Sequence, residues 1–107
     1  MSPRHVWTSR EVCRALETLG FALLPKRGKG SHSLYTRTLV CQAGERVNIT
    51  VSVPYHLGQG TARSIADRVG LSIDQLYNAL TGEMSRQNYE ALAASLPRRH
   101  FLPPALR

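Results

Sequence analysis

The segment Lys26-Arg27-Gly28-Lys29-Gly30-Ser31-His32 sets three cations and two glycines directly before a histidine. Cations attract phosphate, glycines let the backbone turn sharply and approach a ligand closely, and histidine is the side chain type that moves protons near neutral pH. Together they suit a phosphate-facing site in which His32 acts as base or acid while Lys26, Arg27 and Lys29 hold phosphates and stabilise developing charge. The amides around Gly30 and Ser31 add backbone donors. Tyr35 follows three residues later and offers a ring for stacking on a nucleic-acid base. The same residues also describe an ordinary solvated hairpin connection followed by a structural strand histidine and a half-buried tyrosine. Ser33, Tyr35 and His56 are all open as the group that completes an acid–base pair with His32.

The elements that must position this segment are legible in order. Thr8 and Glu11 have capping-box spacing, so a helix starts there, with Val12, Ala15, Leu16 and Leu19 on one face and Gly20 as its stop. Phe21 to Leu24 is a short apolar run ended by Pro25, long enough for a strand only. After the basic connection, His32 to Arg37 reads as an antiparallel partner strand continuing toward Cys41. Period two separates His32, Leu34 and Thr36 from Ser33, Tyr35 and Arg37, and either set can be the covered one. Gln42 to Glu45 makes a turn, and Val47 to Val53 alternates without a fault before Pro54. Thr61 is expected to cap a helix carrying Ala62, Ile65, Ala66 and Val69, stopped by Gly70. Ser72 and Gln75 form a second capping box, opening a short helix with Ile73, Leu76, Tyr77 and Leu80 inward and Gly82 as its end. The order predicts an α+β fold in which helices cover one face of a three-stranded antiparallel meander. The expected domain is 1–82, and 83–107 is an appendage with a helix over 85–96 carrying Tyr89, Leu92 and Leu96, then a Pro/Arg-rich tail.

Composition narrows the partners. The 107 residues fit one domain, and 14 Lys plus Arg against 7 Asp plus Glu give a net charge of +7. A polyanion is the natural partner, and nucleic acid comes before membrane because no basic amphipathic helix stands out. No apolar run approaches the roughly 18 residues of a membrane span, and no apolar stretch of signal-peptide type follows Met1, so the expected location is cytoplasmic. Cys13 and Cys41 are far apart and not in a Cys-x-x-Cys pair, so both read as reduced thiols. A metal site through His32, His56 and Cys41 lacks paired ligand spacing, and no metal or cofactor is expected.

The helix ending Leu19-Gly20-Phe21, the Gly30-Ser31-His32 element, Val51-Ser52-Val53-Pro54-Tyr55-His56, and Gly60-Thr61-Ala62-Arg63-Ser64-Ile65 leading to Gly70-Leu71-Ser72 recur together, in this order, in one known family. From about Ser9 to Leu80 the chain resembles the HicA toxins, the ribonuclease halves of type II HicA–HicB toxin–antitoxin pairs. The resemblance implies a fold like a double-stranded-RNA-binding domain, α-β-β-β-α in two layers with a short extra helix. It also implies metal-independent endoribonuclease cleavage of mRNA through a histidine at the head of the second strand, here His32. A HicB-like antitoxin that covers this surface is the implied protein partner, and DNA enters only through that complex. Two other readings stand beside this one: a non-catalytic RNA-binding module that uses the same basic loop and sheet, and a DNA-binding helix-turn-helix over residues 61–80. The second helix of such a motif would carry Asp74 and no Lys or Arg, a poor charge for a groove reader.

Overall fold

The computed structural model describes residues 5–25 and 32–107. Helix α1 covers Ser9–Thr18, and both halves of the expected capping box form, Thr8 accepting from the Glu11 N–H and Glu11 reaching back. Strands β1 (Ala22–Leu23), β2 (His32–Val40) and β3 (Arg46–Pro54) follow, all antiparallel, in the spatial order β1-β2-β3. Helices α2 (Thr61–Arg68), α3 (Ile73–Thr81) and α4 (Arg86–Ala94) complete the regular elements, with short 3₁₀ turns at Gln42–Gly44, Arg98–Phe101 and Pro104–Leu106. The α-β-β-β-α order is compatible with the expected arrangement of a double-stranded-RNA-binding domain, and α3 is the short extra helix. None of the helices among the described residues is long and apolar enough to cross a membrane.

Register decides which face of the sheet is covered. His32 pairs with Pro54, Tyr35 with Val51, Arg37 with Ile49 and Leu39 with Val47. Odd residues of β2 therefore share a face with Val47, Ile49, Val51 and Val53 of β3, and that face packs on the helices. Tyr35, Leu39, Val47, Ile49, Val51 and Val53 are buried with Val12, Ala15, Leu16 and Leu19 of the first helical segment. His32, Leu34, Thr36 and Thr38 point the other way, together with Asn48, Thr50 and Ser52. That outer face is open to solvent.

Three expectations are corrected. The cap of α2 is Gly60, not Thr61: the Gly60 carbonyl accepts the first helical bond from Ser64, and the residue takes a left-handed φ of 81° that suits glycine. Tyr77 does not face the core; Leu76 and Ala79 fill that side of α3, and Tyr77 stays outside against His5 and Trp7, with ring centroids 5.0 and 6.2 Å away. The hydrophobic core is also not complete by Leu80. Tyr89, Ala93 and Phe101 have no exposed surface and belong to the same cluster as the sheet and the first three helices.

The segment after Gly82 is attached at several points. Ser85 and Asn88 form a third capping box at the head of α4. The Tyr89 hydroxyl donates to the Val69 carbonyl at 2.7 Å, and burial pushes its pKa well above the ordinary phenol value. Arg37, turned inward from β2, bonds the Leu19 carbonyl and Glu90 and lies over the Tyr89 ring at 5.8 Å. Gly70, at φ 81°, lets the Phe101 ring sit where a Cβ would otherwise be.

Candidate functional site

His32 is the first residue of β2 and lies exposed on the outer sheet face. Its Nδ1 is 3.1 Å from the Ser52 hydroxyl, reached across the strand pair because Ser52 sits diagonally from His32 in the register. A hydroxyl both donates and accepts, so Ser52 satisfies Nδ1 in either tautomer. With Nδ1 engaged, Nε2 is the nitrogen left for a ligand. Lys26, Arg27, Lys29, Gly30 and Ser31, the residues expected to meet phosphate, lie outside the described residues.

The β3 end beneath this site is anchored. Pro54, the register partner of His32, gives its carbonyl to the Ser9 hydroxyl of α1 at 2.8 Å. His56 stands two residues beyond Pro54 in the exposed connection to α2, at the same end of the sheet. Ser33, another of the groups considered beside His32, is half-buried on the helix-facing side.

Tyr35 as an RNA contact is corrected by the register. It lies on the covered face with only 3% of its surface exposed, and its hydroxyl donates to Glu17 at 3.0 Å. Burial first, then its bonds to Cys13 and Glu17, raises its pKa far above the ordinary phenol value. Its ring is core, with no face left for a base, and its proton is held too firmly to serve as an acid near neutral pH. Cys41 lies nine residues along an extended strand from His32, about 30 Å at roughly 3.3 Å per residue, so these two cannot share an ion. Both cysteines are free thiols, Cys41 buried and Cys13 half-buried.

Sequence reasoning missed Ser52. Its signal was present: in an unbroken alternation of β-branched residues from Val47 to Val53, the polar partner set Asn48, Thr50 and Ser52 must share the outer face. Only the register puts Ser52 beside His32.

Helices α2 and α3 are joined by a short turn, yet α3 packs its Leu76 and Ala79 inward and shows Asp74 and Tyr77 outside. It presents no cation to a DNA groove. No curated protein and no solved structure matches the chain. The model of the family described as the HicA toxin of bacterial toxin–antitoxin systems matches residues 9–71, from the first residue of α1 to the turn after α2. That match covers more than half of the sequence and includes His32, Ser52 and the whole sheet, and the chain belongs to the HicA toxin family.

Proposed function

We propose that the chain is the toxin of a type II toxin–antitoxin pair and acts as a metal-independent endoribonuclease on mRNA, with His32 moving the proton. The observation that carries this reading is the His32–Ser52 pair: an exposed imidazole at the head of a strand, directly after a basic glycine-rich connection in the sequence, with Nδ1 engaged and Nε2 left for a ligand.

In-line cleavage of RNA begins when a base takes the proton of a 2′-hydroxyl and the oxygen attacks the adjacent phosphorus. If Nδ1–H donates to Ser52, the Nε2 lone pair of His32 can accept that proton without any change in the Ser52 bond. The resulting imidazolium can return a proton to the departing 5′-oxygen, which lets one histidine serve both halves of the step. Of Ser33, Tyr35 and His56, His56 is the one that stands exposed at this end of the sheet and can share the work. Lys26, Arg27 and Lys29 are assigned to the phosphates, with the Gly30 and Ser31 amides beside them. Inhibition is assigned to an acidic HicB-like antitoxin steered to the same surface by the field of a +7 chain.

The test uses a defined RNA, purified protein and excess chelator. Cleavage should persist with chelator and stop when the nucleotide 5′ to the cut carries a 2′-deoxyribose. Binding without cleavage would make the chain an RNA-binding module, and cutting of the deoxy-substituted strand would remove the 2′-hydroxyl mechanism.

A further inference from the structure

β3 is nine residues long, runs without a bulge, and has β2 on one side only. Its other edge can be read residue by residue. Leu24 donates to the Leu34 carbonyl, so even residues of β2 turn their peptide groups toward β1 and odd ones toward β3. The β3 partners of those odd residues, Val47, Ile49, Val51 and Val53, are thus the ones bonded to β2. The peptide groups of Arg46, Asn48, Thr50, Ser52 and Pro54 point away from the sheet.

Among the described residues, partners are supplied only at the two ends of that edge. Arg98 Nε donates to the Arg46 carbonyl at 2.8 Å, and the Ser9 hydroxyl donates to the Pro54 carbonyl at 2.8 Å. Between them, no described residue bonds the outward N–H and C=O groups of Asn48, Thr50 and Ser52, whose side chains are exposed as well. Free edges of this length are ordinarily protected by a lysine, a proline, a bulge or a covering element, because they recruit other strands. The central stretch Val47 to Val53 carries none of the first three, and its composition favours pairing.

Charge selects the occupant. Arg46, Arg98 and Arg99 stand exposed at one end of the edge, with Glu45 the acidic residue nearest in sequence, and the chain as a whole carries +7. A second copy would bring another +7 to the same place. We propose that the free edge of β3 is a docking surface for an extended acidic segment of another protein, which adds to the sheet as a fourth strand. Main-chain bonds to Asn48, Thr50 and Ser52 supply the register and carboxylates meet Arg46 and Arg99. Such a strand would lie about 5 Å from β3, next to Ser52, and about 10 Å from β2, the strand that carries His32. The inference rests on backbone geometry and charge and does not depend on what His32 does.

The experiment uses the full chain, labelled for NMR, and a synthetic peptide of β3's length that alternates Glu with Val, with a Lys/Val peptide as control. The acidic peptide should bind, and slow hydrogen exchange at the Asn48, Thr50 and Ser52 amides. Arg46→Glu with Arg99→Glu should weaken it about tenfold, as expected for charges at the rim of an interface. Thr50→Pro, which removes one outward N–H at a site where an edge strand tolerates proline, should abolish it. Equal binding of the Lys/Val peptide, protection at other amides, or no binding would overturn the proposal. Protection of the same amides by raising protein concentration alone would also overturn it, because the occupant would then be a second copy. If Thr50→Pro fails to fold, the Arg46 and Arg99 reversals decide alone.

Discussion

Phe101→Ala should cost this protein much of its stability, although Phe101 lies only six residues from the C-terminus. The ring has no exposed surface, packs over Gly70 and is edge-on to His100 with centroids 5.0 Å apart, while His100 holds the Gly70 carbonyl and Arg68 holds the Phe101 carbonyl. Removing a fully buried phenyl costs about 3–5 kcal/mol once the residual cavity is included. A domain of this size is stable by roughly 5–15 kcal/mol, so the variant stays folded with a reduced margin. At about 4 °C per kcal/mol, the melting temperature should fall by about 12–20 °C. Ending the chain at Gly82 removes Phe101 together with Tyr89 and Ala93, and the summed loss should exceed the margin and leave no cooperative transition. Thermal unfolding followed by circular dichroism reads both, with Leu106→Ala, at an exposed position, as a control that should not move. A shift below about 4 °C for Phe101→Ala, under about 1 kcal/mol, or a cooperative transition in the truncated chain, would show that the C-terminal segment is dispensable to the core.

Neutralising Lys26, Arg27 and Lys29 together should weaken RNA binding and flatten the slope of log affinity against log salt, since each phosphate contact contributes to that slope; filter binding across a salt series reads it. Ser52→Ala should lower kcat for RNA cleavage with little change in KM, and Ser52→Thr should recover most of it, because only the hydroxyl that orients His32 is at stake. Glu11 gives a pH dependence. Burial alone would raise its carboxyl, but the Thr8 N–H and the nearby His5 outweigh that and hold it below the ordinary 4.5. A carboxyl depressed in the folded state adds stability above its unfolded pKa and loses it as pH falls through the folded value. Glu11→Gln, which keeps a capping side chain, should therefore melt below the parent where Glu11 is ionised, above the ordinary 4.5, and converge with it once the pH has fallen below the depressed folded value.

The fold was readable because its punctuation is local. Capping boxes at Thr8 and Ser72, the glycine stops at Gly20, Gly70 and Gly82, and the unbroken alternation of Val47 to Val53 each state an element without reference to the rest of the chain. The face of β2 was not readable, because His32-Leu34-Thr36 and Ser33-Tyr35-Arg37 are each plausible inner sets. It is fixed by pairing with β3, whose inner face is unambiguous, and that pairing sends Tyr35 into the core and His32 out. The sequence of the C-terminal segment reads as separate because Pro97, Pro103 and Pro104 interrupt any periodic pattern. Its docking depends on tertiary matches such as Phe101 on Gly70 and the Tyr89 hydroxyl on Val69, which no spacing announces. Ser52 likewise became part of the site only through register.

The central claim is that His32 does chemistry, and His32→Ala measured beside the parent chain on one defined RNA tests it most directly. His32 is exposed and contributes no core contact, so the variant should keep the parental circular dichroism spectrum and melting temperature. Its RNA affinity should change little while its single-turnover cleavage rate falls by at least about 100-fold, the lower bound of what general acid–base catalysis supplies. A folded His32→Ala protein that cuts the same RNA within about threefold of the parental rate, far inside that bound, would contradict the account.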